Sequence, residues 1–450
     1  MMRALDNELE KMTEQFNQTP DSIKSMDAVL SGINNAKRRI KRKRRIMQSV
    51  VAAAVILLLF CSSVKISPAF ASYVSRVPGM NAIVKLLNGD HGLEDAIQHH
   101  NLQKLNLSQT KNGTTVTINS MIADSHQVIF FYTIKQPGKK IQPKLKSFDI
   151  KNKNSHSVME ATEFNYALIG KTKKQSTIKQ STIHDRISMS LNEKKLTDPL
   201  YLSLTFKMGT WTFKIPYNVT KYEKMKLSYP LHRTVSLQGQ KLTIQSVTIY
   251  PTRIAVHITY DPKNTKQITH LDDLQLVDKQ GRGWTPADGL TSTWTSENDQ
   301  TFYLQSNYYA HPRSLYLRLT RARVIDKHDR YITVDLKKKE LIGKSAANRI
   351  TLKPVRTGSS FSDHKSDLTL KFAVRVPSID HHSGYGIFDS TFTDQSGKSY
   401  ETRSEGTEMY SKSIHYEMVS IPNRNYKGPI KLKIVDYPER VNGDIRTKIK

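Results

Sequence analysis

An apolar run from Ile46 to Val64 constrains this chain more than any other stretch. Its nineteen residues include no Asp, Glu, Lys, Arg or His, and ten are Ile, Val, Leu or Phe, centred on Val55-Ile56-Leu57-Leu58-Leu59-Phe60. At roughly −0.3 to −0.6 kcal/mol each, those ten favour the hydrocarbon by about 3 to 6 kcal/mol. As a helix the run rises ~28 Å, close to the apolar thickness of a bilayer. Lys37, Arg38, Arg39, Lys41, Arg42, Lys43, Arg44 and Arg45 stand before it, while only Lys65 follows directly. Such an excess holds its end of a span in the cytoplasm. The expected layout is therefore a single-pass protein of the cell membrane, with the lipid bilayer as a partner, its N-terminus cytoplasmic and its C-terminal domains extracytoplasmic. Three rival readings exist: a buried core helix, a signal peptide cleaved after Ala71 in Ala69-Phe70-Ala71, and a lipoprotein anchored at Cys61. The last is opposed by the bulk of Phe60.

The arm before the span, residues 1–45 with the basic stop-transfer cluster, reads as helical. Thr19-Pro20-Asp21 starts a helix: Thr19 caps, Pro20 takes the first helical position, and Asp21 sits at the positive end of the dipole. Ile23, Met26, Leu30 and Ile33 then form one apolar stripe. That stripe has no other cytoplasmic domain to cover it. It is the expected partner-binding surface, unless the arm lies on the bilayer as an amphipathic hairpin with Leu5, Leu9, Met12 and Phe16.

Beyond residue 45 the net charge is +24 out of +29 for the whole chain. A field of that sign favours anionic partners, and an outward location points to anionic cell-wall polymer rather than nucleic acid. Cys61, the single cysteine, lies in the apolar run, so the outer part holds no disulfide.

Residues 65–105 form a connector with short helices around Asn81–Leu87 and Gly92–Ile97, punctuated by Pro68 and Pro78-Gly79. From Asn106 the pattern alternates with period two, as in β-strands. It also recurs. Asn112-Gly113, then a strand ending at Ile134, is echoed by Gln238-Gly239 and a strand ending at Tyr260, and more faintly by Ile350–Leu352 and Leu368–Val374. Asp278–Gly281 before Trp284 resembles Asp394–Gly397 before Tyr400. Pro199–Leu204, Pro312–Leu317 and Pro429–Ile434 form a third set, each followed by one more strand: Trp211–Ile215, Tyr331–Leu336 and Ile445–Ile449. The expected fold is mainly β: tandem antiparallel, immunoglobulin-like β-sandwiches over 106–221, 222–344 and 345–450, behind one transmembrane helix at 46–64.

No motif for a nucleophile, a zinc site or a phosphate-cradling loop is present. No enzyme, metal or cofactor is expected. His99-His100 and His381-His382 read as surface pairs, Asp272-Asp273 as solvated turn carboxylates, and Trp211, Trp284 and Trp294 as core residues rather than a sugar-stacking platform.

Several short matches point one way: Ser67-Pro68-Ala69-Phe70-Ala71, Val77-Pro78-Gly79-Met80, Ile83-Val84-Lys85 and Gly92-Leu93-Glu94-Asp95-Ala96. The pattern at Val116-Thr117-Ile118, Asp124 and Ile129–Ile134 continues them. From Pro20 to about Glu340 the chain resembles Gram-positive membrane proteins similar to anti-sigma factors. The resemblance implies an uncharacterised extracytoplasmic β domain followed by an immunoglobulin-like one. It also implies a regulator that holds an extracytoplasmic-function sigma factor at the membrane until an envelope signal releases it. The competing expectation is a structural or adhesive wall-associated protein that binds anionic polymer and has no cytosolic regulatory role.

Overall fold

The computed structural model describes Lys11, Glu14 and residues 80–87, 89–137, 145–163, 182–286, 289–343, 349–358, 366–376, 386–411 and 413–450. The stripe of Ile23, Met26, Leu30 and Ile33, the cations Lys37 to Arg45, the apolar run and His381-His382 lie outside the described residues. Among the described residues no helix is long and apolar enough to cross a membrane. The elements below belong to one compact unit, Ala69–Lys450.

Beyond Lys11 and Glu14, the described residues begin with the helices α1 (Met80–Leu87) and α2 (His91–Gln98). Asp90 caps α2, accepting from the Leu93 N–H at 3.1 Å. Among the described residues the strands that follow are β1 (Leu102–Lys111), β2 (Thr114–Ala123), β3 (Gln127–Lys135), β4 (Leu145–Lys151), β5 (Met159–Glu163), β6 (Thr182–Leu191), β7 (Leu200–Phe206) and β8 (Gly209–Ile215). They form antiparallel sheets ordered β1-β2-β3-β6-β5 and β4-β7-β8 around a common core that includes Phe130, Leu202 and Trp211. Asn112 and Gly113 turn β1 into β2 with φ of 51° and 72°, the left-handed values a tight hairpin needs. The two helices cover the outer side of this sheet, packing Leu93 and Ile97 on Ile122, Ile129 and Phe131. A short helix, α3 (Val219–Glu223), delivers Tyr222 into the first core before the chain leaves it.

The second set comprises β9 (Leu227–Leu237), β10 (Gln240–Ile249), β11 (Arg253–Tyr260), β12 (Lys266–Leu271), β13 (Gln275–Val277), β14 (Gly283–Trp284), β15 (Thr291–Ser296), β16 (Asp299–Gln305) and β17 (Tyr316–Asp326). One sheet runs β15-β16-β11-β10-β9; the other is built on β17. The third set comprises β18 (Tyr331–Asp335), β19 (Glu340–Ile342), β20 (Ile350–Leu352), β21 (Arg356–Thr357), β22 (Leu368–Arg375), β23 (Phe388–Asp394), β24 (Ser399–Glu401), β25 (Ser404–Ser411), β26 (Ile414–Ile421) and β27 (Ile430–Ile434). Its sheets run β19-β18-β27-β23-β24 and β20-β22-β26-β25. The last strand, β28 (Glu439–Lys448), returns to pair with β17.

This return changes the partition expected from the repeats. Ile332 and Val334 of β18 lie in the third core, whereas Val441, Ile445 and Ile449 lie in the second. The third sandwich is thus inserted between β17 and β28 of the second, and the 344/345 boundary does not separate their cores. Alternation along a strand shows which face it buries but not which sheet it joins, so β18 and β28 read as interchangeable closing strands.

The first two sets share a further device. In β2 the inward residues are Val116 and Ile118, then Met121 and Ala123; in β10 they are Leu242 and Ile244, then Val247 and Ile249. A bulge in each strand, at Asn119 and at Gln245, adds one residue and shifts the phase. Each bulge amide also pairs with a threonine fourteen residues on, Asn119 with Thr133 at 2.7 Å and Gln245 with Thr259 at 2.7 Å.

Candidate functional site: the joint between the first and second sandwiches

The turn between β2 and β3 meets the turn between β10 and β11, and one carboxylate serves both. Asp124 is fully buried. Its Oδ1 accepts from the His126 and Gln127 N–H groups, each at 2.9 Å, folding its own turn. Its Oδ2 accepts from the Thr252 N–H at 2.8 Å and the Thr252 hydroxyl at 2.6 Å, gripping the second sandwich. Burial pushes this carboxyl above its ordinary pKa even against those four donors. The Tyr217 hydroxyl donates to the Asp124 carbonyl at 2.6 Å, closing the joint from the first core.

Around this centre the contacts are aromatic and charged. His126 stacks on Tyr250, ring centroids 4.8 Å apart, and tilts against Tyr303 at 5.6 Å. Burial, reinforced by the nearby Arg253 and Lys226 charges, pushes its pKa well down and so favours the uncharged ring. The Arg253 guanidinium lies 3.8 Å from the Tyr303 ring centroid and donates to the Ser190 hydroxyl at 2.6 Å. Burial opposes charge on Glu193, yet donors from Lys226, Ser125 and Tyr250 hold its pKa below the usual range. Gly92 brings α2 against the second sandwich; a Cβ there would stand 2.6 Å from the Ser306 nitrogen, so only glycine allows this approach.

Beside the joint is a cavity of about 120 Å³ lined by Leu87, Asp90, Arg186, Arg253, Tyr303 and other residues of both sandwiches. Burial pushes the Asp90 carboxyl up to about 6, against the pull of the Leu93 N–H and Arg186. That pKa exceeds the ~3.9 of an exposed aspartate, so the folded form takes up a proton the unfolded chain does not. This contribution to stability is complete below about pH 4 and is lost as pH rises through about 6, a loss of roughly 1–3 kcal/mol. Asp90→Asn is expected to remove that part of the slope, read from urea midpoints of both chains at pH 4 and pH 7.

A second charged joint fastens the inserted sandwich. Arg323, buried, donates from Nε to Asp272 at 2.9 Å and also contacts Asp436. Arg440 contacts the other oxygen of Asp272. Asp273 instead accepts from the Thr320 N–H at 2.9 Å. The Asp272-Asp273 pair is therefore structural and engaged, not solvated as expected. Burial raises Asp436 to about 6, and burial together with the Arg323 charge pushes His270 down to about 4. Trp211 and Trp284 are core residues, while Trp294 is 42% exposed and tilts against Tyr260. His99 stacks on Tyr309 at 4.5 Å, another contact between α2 and the second sandwich. Among the described residues no group of three His, Cys, Asp or Glu is placed to hold a metal ion.

Two segments of the chain match family models of unknown function. DUF4179, a domain of unknown function, matches residues 41–136, and DUF5643, a family of unknown function, matches residues 226–371. The DUF4179 segment runs from the basic cluster through β3; the DUF5643 segment runs from the eve of β9 into β22 and so crosses from the second sandwich into the third. Neither description names a regulator, a sigma factor or a ligand. No curated protein matches the chain. A solved structure described as the crystal structure of the conserved domain protein from Bacillus anthracis matches at 15% identity and a TM-score of 0.37, covering 53% of this chain and 84% of that one.

Proposed function

We propose that this protein is a single-pass, membrane-anchored regulator similar to anti-sigma factors. Its immunoglobulin-like sandwiches meet the envelope outside, and Ile23, Met26, Leu30 and Ile33 hold a sigma-like partner inside. The observation that carries the reading is the pair of buried charged joints. Asp124 ties the first sandwich to the second, and Arg323 ties the second to Asp436 where the chain leaves the third, so in this reading an envelope contact on one sandwich bears on the others. A single family model over residues 41–136, joining the basic cluster, the apolar run and the first hairpins, supports treating anchor and first sandwich as a working unit.

In this mechanism the helical stripe lies in an apolar groove of the partner. Leu30→Asp and Ile33→Asp are each expected to abolish partner capture by the tagged full chain in membranes, while membrane insertion is kept. Unchanged capture overturns the helix-in-groove reading. Removal of residues 1–35 separates the adhesive alternative, since an adhesin keeps its phenotype without them.

A further inference from the structure

We propose that the outward face of the β17–β28 strand pair binds a phosphodiester polymer of small polyols. Tyr316 stands directly opposite Lys448, and Arg318 directly opposite Arg446, so all four side chains share one face. Arg318, Arg446 and Lys448 are exposed, and the face is a solvent side of the second sandwich. The Arg446 guanidinium lies over the Tyr316 ring, 4.4 Å from its centroid. On the next strand, β13 contributes the neutral Gln275 and Val277 opposite Arg318 and Tyr316. Two carboxylates stand toward the Thr320 end of the face: Asp273, which accepts from the Thr320 N–H, and the exposed Asp444, two residues before Arg446.

Like charges directly opposite each other destabilise a sheet, yet here two arginines are so placed, with a lysine beside them. Among the described residues none of the three makes an ion pair. A phosphodiester relieves that repulsion. Its two free oxygens match the planar fork of a guanidinium, and its charge persists at every physiological pH. Cations two residues apart along a strand are spaced ~6.8 Å, which suits a polymer bearing one charge per short repeat. Nucleic acid is disfavoured on the same face. Strand-bound bases need an open aromatic surface, and Arg446 already covers the Tyr316 ring. The binding itself does not depend on topology; only where the polymer is met rests on the extracytoplasmic reading above.

Labelled poly(glycerol phosphate), titrated onto the full chain in neutral detergent, tests the site. The parent chain is expected to bind saturably, and more weakly as salt is added. Arg318→Gln with Arg446→Gln should weaken binding at least about tenfold. Lys207→Gln with Lys214→Gln, which removes the same charge from exposed positions on the first sandwich, should change it less than about threefold. Absence of saturable binding, equal losses in the two double variants, or equal or tighter binding of poly-glutamate or of an oligonucleotide of matched charge overturns the proposal. Protease protection of the C-terminal strands in wall-stripped cells would overturn the extracytoplasmic reading while leaving the measured affinity intact.

Discussion

Arg323→Ala should destabilise the joined second and third sandwiches by roughly 3–5 kcal/mol, because it leaves a buried carboxylate without its counter-charge. Arg323 is the residue that Asp272 and Asp436 share. Asp272 keeps Arg440 when Arg323 is removed, whereas the donors that remain to Asp436 among the described residues include the neutral Tyr437 N–H at 2.8 Å and Thr269 hydroxyl at 3.4 Å. Asp436 also lies where the chain leaves the third core at Tyr437 and enters β28. Weakening there should loosen the β17–β28 ladder itself. Several linked sandwiches need not unfold in one step, so the proper readout is amide exchange along β17 and β28. Protection should fall there more than in β2 or β3. Arg323→Met with Asp436→Leu, which removes both charges, should recover much of the loss. If the double change is as damaging as Arg323→Ala alone, uncompensated charge is not the cause.

Asp124→Ala should cost about 3–5 kcal/mol, since two buried backbone N–H groups and a half-buried one lose their acceptor together. Two of them, on His126 and Gln127, shape the β2–β3 turn; the third, on Thr252, belongs to the other sandwich. Stability and coupling should therefore fail in the same variant. Calorimetry of the full chain should show the first sandwich melting separately from the second. Thr252→Val removes one hydroxyl donor and keeps the backbone one, so it should cost only about 1–2 kcal/mol and leave the transitions merged. Equal effects from both changes would show that the joint does not turn on the carboxylate.

Much of the strand content was legible because its signals are local. The Asn112-Gly113 turn needs only two residues that tolerate positive φ, and both adopt it. The matched turns Asp278–Gly281 and Asp394–Gly397 close with the same bond, glycine N–H to aspartate carbonyl, at 3.2 Å and 2.9 Å. The paired bulges also left a trace, in the slip from Val116 and Ile118 to Met121 and Ala123 and its copy at Leu242, Ile244, Val247 and Ile249. A reading by strict alternation passes over such a slip.

The joints were not legible. Asp124 looks like any turn aspartate, and Asp272 like a solvated one, because their partners lie 128 and 51 residues away, at Thr252 and Arg323. The exposed pair Arg318 and Arg446 is equally remote in sequence and adjacent only through the β17–β28 register.

By itself, then, the sequence determined what neighbouring residues can settle. It marked one apolar run beside a cationic cluster, short alternating strands, and turns where glycine or asparagine must bend the chain. Tertiary structure alone decided that β28 closes the second sandwich rather than the third, and which carboxylates lie between sandwiches. The reason is physical: period-two burial and turn geometry depend on a residue's own neighbours, whereas the choice of sheet partner and the cost of a buried charge depend on groups that only the folded chain brings together.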